Sequence, residues 1–331
     1  MLEGSSDPTR KSISPARNKV VFFVLKVVVA GLMMTVLVQK ISVAKLSDAI
    51  RSADNVWIVM AAVLMPLNLY LQFFKWRLLV HRENLLVKKR HILYSLLVGM
   101  ALGLVTPGRV GDFGRTFFIK RADWAKLLGL LMIDKLITLA ILYIIGIFGL
   151  SHFISMRLHP FVWLPVFIMT LGLVLMFLVF LLRPEILRSI IARYHHFLHR
   201  YTAIDRFMSG IEMATPSLTL KLFLMSALQT LTYCTQFVLL IFAFAKMALL
   251  QAYLTIFAVM FTKSLLPISI GDLGIRESAS IYFFGYFGIS DAAAFNASFL
   301  LFTMNVLVPS ILGFLLFLLK RQTTLKWNGR S

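Results

Sequence analysis

The chain has 331 residues, of which 59% are hydrophobic and 15% charged, with a mean hydropathy of +0.85. An average soluble domain is about 25% charged, so this composition excludes a soluble globular protein and a disordered one, and recurring long apolar runs point to a polytopic membrane protein. The formal net charge is +20. The basic residues lie in short connections between apolar runs, which suits an anionic membrane surface and argues against nucleic acid as a partner.

In chain order, residues 1–19 form a basic tail with Arg10, Lys11, Arg17 and Lys19. The run Val20–Val38 is longer than a usual signal core and is read as an uncleaved first helix. Further apolar runs occupy 56–74, 92–106, 127–150, 161–182, 219–245, 252–268, 278–287 and 292–319, and a basic tail at 320–331 closes the chain. Residues 20–319 thus read as a single integral membrane domain. The single cysteine, Cys234, lies inside an apolar run, so no disulfide framework is available.

Cytoplasmic loops collect Lys and Arg. Of the 34 basic residues, 24 fall in five segments (the N-terminus, 75–91, 115–126, 183–221 and the C-terminus), against five in the remaining connections. Both termini are therefore expected on the cytoplasmic side. Run 92–106 has basic segments on both flanks and is short for a core about 30 Å thick. It reads as a re-entrant hairpin that turns at Thr106-Pro107-Gly108 and returns through 109–119. Run 252–287 starts and ends on the outer side and turns near Pro267. The expected fold is all-α, with six spanning helices and two oppositely oriented re-entrant hairpins; eight full crossings is the alternative.

An internal repeat supports this. Pro107-Gly-Arg-Val-Gly-Asp-Phe-Gly114 matches Pro267-Ile-Ser-Ile-Gly-Asp-Leu-Gly274 at an offset of 160 residues. The halves, about 56–150 and 219–319, are linked by helix 161–182 and an amphipathic cytoplasmic segment, 183–217. Their opposite orientation is the inverted-repeat pattern of transporters. Pro107, Gly108, Gly111 and Gly114, with Pro267, Gly271 and Gly274, are the helix-breaking residues. Thr106-Pro107 reads as a helix start and Ser269-x-x-Asp272 as a capping box, each opening a half-helix whose positive end suits a phosphate.

Eight charges gather around these tips: Arg109, Asp112, Arg115, Asp134, Lys135, Asp272, Arg276 and Glu277. An unpaired charge inside a bilayer costs roughly 2.5–3.5 kcal/mol on the insertion scale, so the set reads either as a structural ion-pair network or as a seat for a charged headgroup. The acidic–basic pair Asp134-Lys135 is placed at the start of its helix. Gln229, Tyr233 and Gln236 are candidates for a polar path. His195-His196-x-x-His199 has helical metal spacing, but no carboxylate pattern completes a site; its surroundings read as an amphipathic helix on the inner leaflet. Residues 43–54 read as a short interfacial helix on the outer face. No catalytic motif is found, and no metal or other cofactor is expected.

Leu104-Val-Thr-Pro-Gly-Arg-Val-Gly-Asp-Phe-Gly-Arg115 and Leu266-Pro-Ile-Ser-Ile-Gly-Asp-Leu-Gly-Ile-Arg-Glu277 resemble the two signature stretches of the lysylphosphatidylglycerol synthase transmembrane-region family. This flippase-like domain also forms the membrane part of multiple-peptide-resistance-factor proteins. The resemblance covers roughly 20–320 and includes Lys75-Trp76-Arg77. Asp134-Lys135 stands where the family often has Glu-Arg, and Asp272 where it often has Gly. The resemblance implies lipid translocation or lipid handling in a bacterial or archaeal cytoplasmic membrane. The aminoacyl-transferase domain of two-part members is not seen in this sequence, so synthase activity is not expected of it. The implied partners are membrane phospholipids, chiefly anionic ones, with a partner enzyme or a second copy of the chain also open. On this reading Arg109, Arg115 and Arg276 contact phosphate, and the acids balance it. The competing readings are a non-transporting subunit that presents lipid to a partner enzyme, an embedded lipid-modifying enzyme using Asp112 or Asp272, and a transporter of small soluble solutes.

Overall fold

A computed structural model describes residues 51–106, 108–157, 202–265 and 274–328, with side chains to 320, and a few isolated positions before and between them. The first apolar run, the three histidines of 195–199, Pro107, and the second motif's Pro267, Gly271 and Asp272 lie outside the described residues, as does most of 43–54 and 161–201.

The described elements are helical throughout. They are α1 (Asn55–Glu83), α2 (Lys89–Val105), a 3-10 helix (Val110–Phe118), α3 (Trp124–Arg157), α4 (Thr202–Glu212), α5 (Pro216–Phe244), α6 (Leu249–Leu265), α7 (Ile275–Gly285) and α8 (Asp291–Phe302). A π-helical turn (Thr303–Leu307) joins α8 to α9 (Val308–Asn328). Four stretches are long and apolar enough to cross a membrane: α1, most of α3, α5, and α8 with α9. The chain is an all-α polytopic membrane protein.

Local chemistry accounts for the boundaries. The Asp54 carboxylate accepts from Val56 N at 3.0 Å and caps α1. Thr215 caps α5 through Leu218 N, with Pro216 at the first helical position, where its missing N–H costs nothing. Pro309 has no N–H for the carbonyl of Asn305, and the helix answers with the π turn at 303–307.

Two boundaries and one packing contact differ from those read in the sequence. Helix α1 continues nine residues past the apolar run to Glu83, because Lys75, Trp76, Leu79 and Val80 face the interior. The basic loop therefore begins at Asn84, and Lys75 is not in it. Helix α3 opens at Trp124, so Asp134 and Lys135 lie a third of the way along it and do not begin it. The end of the segment read as a surface helix, α4, packs on α3: Gly129 and Gly210 leave no room for a Cβ against the facing backbone.

The helix ends sort by charge. Asn84 Nδ2 donates to the Arg121 carbonyl at 2.6 Å, Arg82 Nε donates to that of Met213, and Lys320 Nζ lies 3.9 Å from the Tyr94 ring centre. Phe118 meets Phe317. One end of the molecule thus gathers the starts of α2, α3 and α5, the end of the 3-10 helix and the approach to the C-terminus. At the other end, Asp54 N donates to the Ala243 carbonyl at 2.9 Å, and Phe153 packs on Phe283 and Phe287.

Two hairpins follow from this. Helix α2 starts at the basic end and turns at 106–109, and the 3-10 helix brings the chain back to that end. Helices α6 and α7 start and finish at the opposite end and pack on each other. Each hairpin lies against the closing helix of the other half: α2 on α9, where Gly313 meets the Leu97 carbonyl, and α6 on α3, where Gly146 and Gly149 receive Phe261 and Ala258. Helices α1 and α5 pack along each other between them.

Candidate functional site

The turn of the first hairpin is built from the motif. Gly108 (φ 58°) and Arg109 (φ 55°) both take the left-handed conformation, which glycine enters freely and arginine only at a cost. The Thr106 hydroxyl accepts from Gly111 N at 2.6 Å and donates to the Leu102 carbonyl at 2.9 Å. It ties the two limbs together and does not open a half-helix, as the sequence had suggested; the returning limb is 3-10, with Arg109 in the cap position. Glycines allow the limbs to touch. A Cβ at Gly111 would strike the Leu102 carbonyl, one at Gly103 the Asp112 carboxylate, and one at Gly99 the Arg115 side chain. Gly114 faces Leu102 with little room to spare.

The limbs deliver charge to α3. Asp112 Oδ2 accepts from Lys135 Nζ at 3.0 Å and stands 3.5 Å from the Arg109 guanidinium. Its other oxygen, buried beside Gly103, has no hydrogen-bond partner. One residue back on α3, Asp134 pairs with Lys75 of α1 at 2.8 Å, and Lys75 also donates to Ser226 of α5 at 2.9 Å. The Arg115 guanidinium carbon sits 4.6 Å from the Trp76 ring centre, a cation–π contact. The Trp76 indole N–H is in turn held by Ser95. Five of the eight charges named from the sequence therefore meet in one cluster, together with Lys75, which sequence reasoning assigned to a loop. A signal for Lys75 did exist: Asn68, Leu71, Lys75 and Leu79 recur at helical spacing and share one buried stripe.

Arg276 and Glu277 form a second, separate cluster. Both are 0% exposed and pair at 2.5 Å. Glu277 also accepts from Gly274 N at 2.7 Å and from Ser298, so it caps α7 as well as neutralising Arg276. Arg276 donates to Ser298 at 2.9 Å and to the Tyr233 hydroxyl at 3.1 Å. Gly274 itself has φ 91°. A third group is neutral: Asn68 Nδ2 donates to Asn305 Oδ1, Asn305 Nδ2 to Gln236 Oε1, and Gln236 Nε2 to the Ala61 carbonyl at 2.9 Å.

Between the turn of the first hairpin and helices α3, α5 and α6 lies a cavity of about 340 Å³. Gly108, Arg109 and Asp112 line it from the first hairpin, and Lys135 and Thr138 from α3. Gln229, Thr230 and Tyr233 of α5 and Lys263 of α6 complete its polar wall. A smaller chamber of about 70 Å³ behind it shares Asp112, Lys135, Thr138 and Gln229 and reaches Lys75, Arg115 and Asp134. Gln229 and Tyr233 are thus where the polar path was expected, whereas Gln236 belongs to the neutral network. Lys263 carried no motif and was missed; only its place on the apolar face of a hairpin limb distinguishes it.

A family profile described as the lysylphosphatidylglycerol synthase TM region matches residues 23–313. The chain is also similar to a UPF0104 membrane protein of Methanothermobacter thermautotrophicus, 31% identical over 142 residues. That match covers 39% of this chain and 42% of the archaeal one, so it spans less than half of that relative's length.

Proposed function

The chain belongs to the lysylphosphatidylglycerol synthase TM-region family, a membrane family with a lipid-related role, and from that premise we propose that it is a lipid translocator of the flippase type. The observation that carries this is the charged cavity that the turn of the first hairpin shares with α3, α5 and the α6 limb of the second, two hairpins that approach from opposite ends of the bundle. Charged groups inside a membrane domain are costly and mark substrate paths. The exchange of hairpins between halves supports an inverted repeat, and the return of the first hairpin to the basic end supports its being re-entrant. On this reading the basic end faces the cytoplasm of a bacterial or archaeal cell, with both termini there.

The headgroup crosses through the polar seam while its acyl chains remain in the bilayer. Arg109, Lys135 and Lys263 meet the phosphate. Asp112 holds Arg109 and Lys135 until the lipid arrives, since a carboxylate and a phosphate compete for the same donors. Arg276 and Glu277 position the second hairpin and do not touch the lipid. Arg115, stacked on Trp76, supports the inner chamber. No covalent step is required, so the chain works without catalytic residues or cofactor.

The test is reconstitution of the purified chain into liposomes with acyl-labelled phospholipids, followed by quenching from outside. Faster loss of inner-leaflet label than in protein-free vesicles is expected. Tight lipid binding without movement would favour the subunit that presents lipid to a partner enzyme. New lipid products would favour a modifying enzyme. Sidedness is checked with cysteines introduced at 17, 121 and 324 on a Cys234→Ser background. All three are expected to resist an impermeant reagent added outside whole cells, and labelling at 121 would favour eight crossings.

A further inference from the structure

Arg115 of the first hairpin lines the chamber of about 70 Å³ that lies behind the cavity. The residue is 7% exposed. Its guanidinium carbon stands 4.6 Å from the centre of the Trp76 ring, and its Nε has no hydrogen-bond partner. No described carboxylate pairs with it: Asp134 is taken by Lys75 at 2.8 Å and Asp112 by Lys135 at 3.0 Å. An aromatic ring offers a guanidinium a face and no acceptor atom, so its N–H donors are left to find one. A buried cation whose donors lack an acceptor is among the costliest groups a membrane domain carries.

Two further donors border the same chamber. Lys135 Nζ donates to Asp112 and has N–H groups left over. Gln229 makes no described hydrogen bond, and its Oε1 is buried without a partner. Turning that amide over therefore breaks nothing and presents its N–H groups to the chamber. The Asp112 and Asp134 carboxylates border it too, each already held by its lysine. A volume of about 70 Å³ exceeds the roughly 10–15 Å³ that one water needs and falls far below the roughly 300 Å³ of the smallest ligand pockets. The space suits a small ion and not a headgroup with its glycerol.

We propose that the chamber is a binding site for a small oxyanion of the phosphate or sulfate class, with the Arg115 guanidinium as its principal ligand. The planar fork of a guanidinium matches the paired oxygens of such an ion, which accept from it at short range. Lys135 and Gln229 complete the donor set, and Trp76 fixes the guanidinium from behind. Asp112, Lys135, Thr138 and Gln229 belong to both the chamber and the cavity, so the ion enters through the cavity. The same chemistry is offered by free phosphate and by the terminal phosphate of a lipid such as phosphatidic acid. The site stands on unmet donors and does not depend on lipid movement.

The experiment uses the purified full chain in detergent, exchanged into gluconate, with thermal unfolding followed as phosphate, sulfate or more gluconate is added at constant ionic strength. Phosphate and sulfate are expected to raise the unfolding temperature saturably, and gluconate, too bulky for the chamber, is not. Arg115→Gln is expected to weaken the response about tenfold or more. Gln229→Leu keeps Arg115 and is expected to weaken it several-fold, which decides the matter if the first variant does not fold. A response to phosphatidic acid alone, lost in Arg115→Gln, keeps the site and assigns its ion to the lipid. A response that persists undiminished in both variants overturns the proposal. So does the absence of any response to phosphate, sulfate or phosphatidic acid, which would leave the chamber to water. Flipping is measured in liposomes on the same preparations. Arg115-dependent anion binding without flipping keeps this site and removes the translocator, and flipping without anion binding does the reverse.

Discussion

At the tip of the first hairpin, Arg109 and Asp112 stand 3.5 Å apart on the rim of an open cavity, sharing it with Lys135 and Lys263. At the start of the second hairpin's returning helix, Arg276 and Glu277 are sealed at 0% exposure, each with hydrogen bonds to spare for Ser298. The same pair of charges is thus used in two ways. A fully desolvated pair whose every partner is protein cannot exchange partners without opening the fold, so it sets architecture. A pair on the rim of a cavity can exchange a partner for a ligand without opening the fold. The first hairpin is accordingly where chemistry with lipid is to be sought, and the second is what holds it in place.

The largest expected effect comes from breaking the sealed pair. Glu277→Ala removes the carboxylate that Arg276 pairs with at 2.5 Å and should cost about 3–5 kcal/mol, read as lost expression and a much lower unfolding temperature. The double change Arg276→Leu with Glu277→Leu should recover much of it, and lipid flipping should return with the fold. If the double variant folds but binds no lipid, the second cluster is part of the headgroup site and the contrast between the hairpins fails.

Next is Lys75→Met, which strands Asp134. Ser226 and Arg115 remain near that carboxylate, so the loss should lie at the lower end, about 3 kcal/mol. A neutral result would return Lys75 to the surface role read from the sequence. Tyr233→Phe removes one hydrogen bond to a charged group and should cost about 1.5 kcal/mol, while also lowering lipid affinity because the same hydroxyl faces the cavity. A stability loss with unchanged affinity would assign Tyr233 wholly to the second cluster.

The smallest effect is the most discriminating. Arg109 occupies a left-handed backbone position, so Arg109→Gly should raise stability by about 0.5–1 kcal/mol and yet weaken binding of anionic lipid. Opposite signs in thermal unfolding and lipid binding would mark a residue kept for function at a cost to the fold. Loss of both would place Arg109 with the structural charges.

Composition and hydrophobic runs were sufficient to establish the membrane class, because about 20 apolar residues in a row have few other stable destinations. The Pro-Gly motif at 107–114 marked the first turn for a local reason: the conformation of Gly108 and the close approaches of Gly111 and Gly114 to Leu102 involve residues within about a dozen positions. Five of the eight named charges do meet, since segments that must bury charge in a membrane have to neutralise it together. Which charge meets which was not legible. Lys75 and Asp134 are 59 positions apart, and whether a lysine at a helix end faces a loop or a core depends on where α1 stops, which packing of Trp76 and Leu79 decides. The separation of Arg276 and Glu277 from the cavity, and the arrival of Lys263 within it, likewise depend on how α6 and α7 dock against α3 and α8. Backbone preferences are local and are written in the sequence. The sorting of identical charges into sealed and open pairs depends on solvent access, and only the packed arrangement of helices determines that.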